Sequence, residues 1–404
     1  MNLVIKYAKM ILRELEVKMK KYDVVVVGSG FAGATIAERF ANDGKTVLII
    51  EKRDHIGGNM YDYVDENGVI THKYGPHLFH TNLDNVYEYL TKFGEFFKYE
   101  HRVLGKVKDK LVPIPFNLTS IEESFDKETS EKLKNILIKE YGMEKKVPIL
   151  ELRQNSDKDI NELANFIYEN VFLHYTMKQW GQKPDEIDPA VSNRVPVFVS
   201  YDDRYFQDKY QYMPVGGYTK IFEKMLDNEN IDIKLGTDCL DVLSFDDGKV
   251  YLDGEEFVGK VIYTGAIDEL FKYVYGSLPY RSLVFDFETK DMEYYQPVGT
   301  VNYPTKEDKF TRITEYKHMT MENAKTDKTT IMREYPCSFE LGKDMTPYYP
   351  INNENSQELY NKYLSLVNEY PNLYLLGRLA QYKYYNMDLI INEALKLYDE
   401  IKNK

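Results

Sequence analysis

The sequence predicts an α/β protein: a discontinuous Rossmann-like dinucleotide-binding domain with an inserted helical domain and an antiparallel β-sheet domain. Three observations carry that prediction. An apolar strand runs into a glycine-rich turn and a helix near residue 30. A strand and a helix of the same kind close the chain. Between them lie a long helical stretch and several alternating, strand-like segments. At 404 residues the chain exceeds what one simple core organises, which agrees with two or three domains.

Composition narrows the class. With 43% apolar and 29% charged residues the chain is ordinarily globular. No apolar run reaches transmembrane length, so no membrane insertion is expected. A net charge of −13 argues against nucleic-acid partners and anionic membranes. If the ligand is itself an anion, a few placed arginines must hold it. Cys239 and Cys337 form neither a disulfide framework nor a metal-ligand spacing, as expected in a reducing, cytoplasmic setting. Residues 1–20 read as a short amphipathic extension that lacks the features of an export signal.

The first element is "YDVVVVGSGFAGATIAERF". Its β-branched run, Val24 to Val27, suits a strand buried on both faces. Gly28, Gly30 and Gly33 follow as G-x-G-x-x-G, with Phe31 inside the motif. The first glycine serves a tight turn, the second the backbone approach to a pyrophosphate, the third the close packing of helix on strand. The helix start then offers free N–H groups and its positive dipole end to phosphates. A second strand, "KTVLIIE", ends in Glu51, where a carboxylate accepts from ribose hydroxyls.

The residues after Glu51 select the dinucleotide. "KRDHIGGN", with the basic Arg53 and the pair Gly57-Gly58, reads as a longer loop wrapped over the cofactor, as FAD proteins have, and Lys52, Gly58 and Asn59 are expected to bind it. At the other end, Leu373 to Leu376 reads as a strand meeting Gly377-Arg378, and a last helix begins after Asn386, a plausible N-cap, at Met387. The positive end of such a helix suits a reduced flavin. The fold is therefore an FAD-binding Rossmann-like domain, expected at 21–98, 214–275 and 351–404. A helical domain is expected at 117–193 and an antiparallel sheet domain at 99–116, 194–213 and 276–350.

The segment "YTMKQWG" contains Trp180, the only tryptophan beside 36 tyrosines. From the residues alone it reads equally as a binding wall or as packing at a helix end. "THKYGPHLFHTN" gathers His72, His77 and His80, but no acidic cluster accompanies them and no metal is expected.

Taken in order, "VGSGFAGA", "EKRDHIGGN", "HKYGPHLFHTN", "YTMKQWG", "RYFQDKYQYMPVGGYTKIFEKML", "YRSLVF", "TRITEYKH", "EYP…PYYP" and "GRLAQYKYY" resemble the flavin-dependent UDP-galactopyranose mutases of the bacterial type. The resemblance runs from Tyr22 nearly to the C-terminus. It implies an isomerase that interconverts UDP-galactopyranose and UDP-galactofuranose. Reduced FAD would attack the anomeric carbon through N5, with no net redox change. By the same resemblance Tyr175 stacks on uracil and Trp180 lies near the sugar and flavin. Arg194 and Arg312 clamp the diphosphate, and Tyr205, Tyr349 and Tyr384 bond the phosphates. Arg281 and Asn302 lie near the sugar hydroxyls, and His77 meets the flavin edge. A homodimer or higher homo-oligomer is expected.

Two departures from the family pattern stand out. Val171 occupies a position usually aromatic, for which the neighbouring Phe172 is a substitute. Asn386 replaces the usual Asp, which points to lower activity or a different sugar, and UDP-N-acetylgalactosamine, which differs only by its 2-substituent, stays open as a substrate. Two further readings are a flavin oxidase and a non-catalytic UDP-sugar-binding flavoprotein.

Overall fold

The computed structural model describes residues 21–183, 196–321 and 325–403. The chain folds into two compact units. The first gathers the described residues up to Tyr61 with Tyr218–Leu278 and the segment from Gln357. The second comprises Asp62–Gly217 and Pro279–Ser356. The expected amphipathic extension at 1–20 lies outside the described residues.

The first unit is built on a five-stranded parallel sheet. Its strands stand in the order Ile231–Lys234, Val47–Ile50, Val24–Val27, Lys260–Tyr263 and Leu373–Leu375. The central strand Val24–Val27 is buried throughout, as its unbroken valine run requires. Helix Phe31–Asn42 follows the glycine turn. A Cβ at Gly33 would stand 1.9 Å from the Gly28 carbonyl oxygen, so only glycine lets this helix lie on its strand. The helix packs on Met387–Lys402, where Phe40 meets Tyr398 edge-on at 5.2 Å. It also packs on Tyr218–Leu226, where Phe31 and Phe222 stand 4.6 Å apart.

The second unit carries a seven-stranded sheet. Its order is Tyr349–Pro350, Tyr280–Lys290, Thr329–Ser338, Arg312–Glu315, Thr300–Asn302, Val103–Val107 and Lys110–Ile114. The pairing is antiparallel except at one junction, where Thr300–Asn302 runs parallel to Val103–Val107. The two strands are separated by the whole helical insertion, and so long a crossover permits parallel pairing that a hairpin does not.

That insertion contains the helices Leu118–Ser124, Lys127–Tyr141, Ile149–Leu152 and Lys158–Ile167, then a π-helical turn Tyr168–Leu173, and finally His174–Trp180. Side chains cap three of its helix starts: Asn117, Asp126 and Asp157 each accept from first-turn amides. A short strand, Lys145–Val147, interrupts the helical periodicity and pairs with Val197–Val199. The apolar faces meet in one cluster that includes Phe116, Leu133, Leu152, Leu163, Ile167 and Phe172.

Leu152 is wholly buried in that cluster. Leu152→Ala should therefore destabilise the protein by about 2–5 kcal/mol, read as a lower urea midpoint for the transition that involves the helical part.

Candidate active site

Cofactor-side residues lie mostly in the first unit. The helix Phe31–Asn42 begins after Gly30 with no side-chain cap and no acidic residue in its first turn. Its N–H groups and dipole end therefore remain for an anion. The second glycine loop approaches this start closely: Gly57 N–H donates to Ser29 O at 3.2 Å, and a Cβ on Gly58 would stand 3.0 Å from Gly30 Cα. Bare backbone thus surrounds the helix start, the condition a pyrophosphate needs.

Glu51 is buried. One carboxylate oxygen accepts from Ser29 N at 2.9 Å and Ser29 Oγ at 2.7 Å, and the other accepts from Arg53 N at 2.9 Å. It fixes the glycine turn as well as standing at the expected ribose position. Arg53 in turn donates from Nη2 to the side-chain Oδ1 of Asn59 at 2.8 Å, which holds the loop after the second strand. Lys52 reaches Asp238 and Glu269 at 2.9 and 2.7 Å. Near the C-terminus Gly377 N–H donates to Gln381 at 3.1 Å. Arg378 donates to Tyr385 O at 2.6 Å and lies 4.9 Å from the Tyr384 ring centroid. Asn386 does occupy the N-cap of Met387–Lys402, yet its side chain makes no capping hydrogen bond. The first turn of this helix carries one acid, Asp388.

The residues expected on the substrate side, Tyr175, Trp180, Tyr205, Arg281, Asn302, Arg312 and Tyr349, lie in the second unit, as does His77. Strand register groups most of them. Asn302 pairs with Arg312, Arg312 with Glu334, and Glu334 with Phe285. Four residues back along the same strand, Arg281 pairs with Ser338 on one side and Tyr349 on the other. Directly opposed residues share a sheet face, and so do residues four apart on a strand. Asn302, Arg312, Glu334, Arg281 and Tyr349 therefore all belong to one face.

Glu334 fixes the cation of this face. Its carboxylate accepts from Arg312 Nε at 3.1 Å and Nη2 at 2.7 Å. The Glu334 side chain is 1% exposed, that of Arg312 26%, so the guanidinium keeps an open side. Glu334 holds Arg312 charged well above its ordinary range, against burial, with the phenols of Tyr175 and Tyr349 adding to that effect. Burial likewise pushes the Tyr175 phenol up, opposed by Arg312 and reinforced by Glu334, Tyr205 and Tyr349. These groups therefore lie within electrostatic reach of one another. Trp180 lies 5.9 Å from Tyr349, ring centre to ring centre.

Helix His174–Trp180 lies on this same face. Arg281 donates from Nε to Gln179 O at 2.9 Å, from Nη2 to Lys178 O at 3.1 Å and from Nη1 to Ser338 Oγ at 3.1 Å. It thus satisfies the last carbonyls of the helix that carries Tyr175 and Trp180, a favourable place for a cation. Phe172 does not stand in for the missing aromatic at 171, because it is buried in the helical core. Arg194 lies outside the described residues.

Two histidines back the site. His101 is buried, its ring bonded to Tyr99 Oη at 3.1 Å and its carbonyl accepting from Tyr205 N at 2.8 Å. Burial, with Arg312 nearby, pushes its pKa down to about 3. His72 accepts from the backbone N–H of His77 at 3.1 Å, and burial lowers it too. Sequence reasoning passed over Glu334 and His101. Glu334 lies in "EYP", but its pairing with Arg312 comes from the sheet register and not from any local pattern.

Among the described residues no group of three or more His, Cys, Asp or Glu is arranged to hold a metal, and no helix is long and apolar enough to cross a membrane.

Residues 170–384 match the family model for UDP-galactopyranose mutase, and residues 26–93 match that for an NAD(P)-binding Rossmann-like domain. A probable UDP-galactopyranose mutase of Klebsiella pneumoniae is 37% identical over 95% of this chain and 95% of its own. A dTDP-fucopyranose mutase of Escherichia coli is 34% identical over 92% and 96%. A crystal structure of reduced UDP-galactopyranose mutase superposes with a TM-score of 0.66 at 16% identity, covering 95% of this chain and 96% of that one.

The two buried histidines set an acid limit. Their folded pKa values lie below the unfolded value, so the unfolded chain binds protons first as pH falls. Stability present above about pH 6.5 should decline below it, by up to about 1.4 kcal/mol per pH unit for each histidine. Urea titrations between pH 7 and 5 should show this slope, and His101→Gln should reduce it.

Proposed function

Because this chain belongs to the UDP-galactopyranose mutase family and is an isomerase of that family, we propose that it interconverts UDP-galactopyranose and UDP-galactofuranose with FAD as its cofactor. The observation that carries this reading is the Arg312–Glu334 pair, set on one sheet face with Tyr349 and beneath the helix of Tyr175 and Trp180. A largely covered, partly exposed cation near aromatic rings is the chemistry a uridine diphosphate needs.

The donor set of the first unit fits a dinucleotide: an uncapped helix start, two glycine loops in backbone contact, and a carboxylate at the end of the second strand. Gly28, Gly30, Phe31, Gly33, Gly58 and Asn59 would hold the pyrophosphate side, Glu51 and Lys52 the ribose side, and His77, Gly377, Arg378 and Met387 the flavin side. When bound and reduced, the flavin supplies through N5 the nucleophile for the anomeric carbon, so the exchange needs no net oxidant.

The protein's part is then binding, orientation and charge. Arg312, with Arg194, neutralises the diphosphate that develops charge as the sugar–phosphate bond opens. Glu334 keeps Arg312 protonated and fixes the plane of its guanidinium, so little reorganisation accompanies that step. Tyr175 offers a face to uracil, and Tyr205, Tyr349 and Tyr384 offer hydroxyls to phosphate oxygens. Trp180 walls the sugar, and Asn302 with Arg281 borders its hydroxyls. Asn386, where the family has Asp, leaves the N-cap of the last helix without a carboxylate, the acid of its first turn being Asp388, and we expect Asn386→Asp to raise turnover. A second reading, a related nucleotide sugar, is favoured by the similarity to the dTDP-fucopyranose mutase. We place the protein in the cytoplasm as a homo-oligomer.

The test is an anaerobic anion-exchange assay of UDP-galactofuranose with the enzyme oxidised or reduced by dithionite. Conversion to the pyranose only after reduction is the expected result; no conversion, or equal conversion by oxidised enzyme, overturns the proposal. Arg312→Ala removes charge-assisted bonds of about 1.5–3 kcal/mol. UDP affinity, measured by calorimetry, should accordingly fall by about tenfold to hundredfold.

A further inference from the structure

Lys178 makes an unusual set of bonds. Its ammonium donates to three backbone carbonyls, those of Tyr303, Asp308 at 2.9 Å and Phe310 at 2.8 Å. Among the described residues it forms no ion pair. Burial pushes it down to about 8, with Asp308 and Glu307 opposing that shift. A surface lysine would turn to water or to a carboxylate. This one is committed to a loop.

The identity of the loop gives the bonds their meaning. Residues 303–311 connect Asn302 to Arg312, the two ends being paired across neighbouring strands, and Tyr303 N–H closes the loop on Thr311 O at 2.8 Å. Lys178 comes one helical turn after Tyr175 and two residues before Trp180. Its three donors therefore join the helix of the aromatic residues to the hairpin of the phosphate-binding arginine. Three carbonyls converging on one point suit a compact ammonium, whereas a planar guanidinium would not meet all of them.

We propose that Lys178 is a positioning residue of the substrate site, a three-carbonyl clamp that sets the separation of Tyr175 and Trp180 from Arg312. The function assigned to it rests on the nucleotide-sugar reading above; the clamp itself does not. Lys178 touches no reacting atom. It fixes the gap between uracil wall and diphosphate cation, so a nucleotide is met by both at once without ordering the helix upon binding. Arg281 secures the carbonyls at the end of the same helix, leaving Lys178 as its fastening toward Arg312.

The test uses the full-length flavoprotein and Lys178→Met, which keeps the stem and removes the donors. Trp180, the single tryptophan, reports the helix directly through acrylamide quenching, and calorimetry with UDP reports the site. The variant should retain flavin. Its Trp180 quenching constant should rise at least about twofold and its UDP affinity fall at least about tenfold, the scale expected of a small misplacement. In an Arg312→Ala background the same change should cost less than about a further twofold, because the two effects share one geometry. If quenching and UDP affinity both stay within about twofold of wild type, or if the tenfold loss of about 1.4 kcal/mol persists undiminished without Arg312, the clamp is overturned. Should Lys178→Met fail to fold, Lys178→Gln is judged by the same limits. A wild-type protein that binds no UDP would sink the nucleotide reading, and Trp180 quenching would then decide the clamp alone.

Discussion

The pairing of Arg312 with Glu334 is the interaction around which the substrate half is organised. An arginine three-quarters covered by protein would lose much of its hydration for little return unless a carboxylate accepted from it. Glu334 does so through one oxygen on two guanidinium nitrogens, from a side chain that is itself 1% exposed. The strand register makes this possible, since the two residues are direct neighbours across the sheet. The remaining polar residues of the face take their places from that register: Asn302 beyond Arg312, and Arg281 and Tyr349 four residues, or two repeats of the pleat, along. A slip of one residue in this pairing would turn the whole set to the other face.

Helix and sheet are matched to each other by the π-helical turn Tyr168–Leu173. Each i→i+5 bond takes one more residue into a turn than an α-helix does. Residues after it therefore point to a face that the preceding 3.6-residue period would not select. Ile160, Leu163, Ala164 and Ile167 fill the helical core on the ordinary period, and Phe172 joins them from within the wide turn. Beyond it, Tyr175 comes within reach of Arg312 and Trp180 within reach of Tyr349. Asn170 steadies the turn by donating to Phe166 O at 2.8 Å. One helical run thus serves the core with its first half and the site with its second.

This explains which parts of the protein were legible in its sequence. The first strand and its glycine turn could be read from the residues, because Gly33 has no alternative where a Cβ would strike the Gly28 carbonyl, and a run of four valines admits few structures. The substrate end depended on resemblance, because its residues meet through pairings among strands far apart in sequence. Nothing local in "EYP" says that its glutamate faces "TRITEY". The exchange of roles between Phe172 and an aromatic at 171 failed for the same kind of reason, since a widened turn is invisible to a fixed period. Asn386 reads correctly as an N-cap by position, yet its side chain makes no capping hydrogen bond.

The economy of positive charge follows from the acidic chain. With a net charge of −13, a loose cluster of lysines and arginines could not give local attraction without being neutralised by nearby carboxylates. Lys52 shows that outcome, drawn to Asp238 and Glu269. Arg312 limits it to one carboxylate, Glu334, its direct neighbour on the same sheet face, with the phenols of Tyr175 and Tyr349 also within electrostatic reach. Lys178 and Arg281 avoid it differently, by directing their charge at backbone carbonyls. A carbonyl accepts a hydrogen bond without cancelling a full charge, so both cations organise the helix while the face keeps its positive balance. Tyrosines and backbone carbonyls, which carry no formal charge near neutral pH, thereby let an acidic protein keep a site built for an anion.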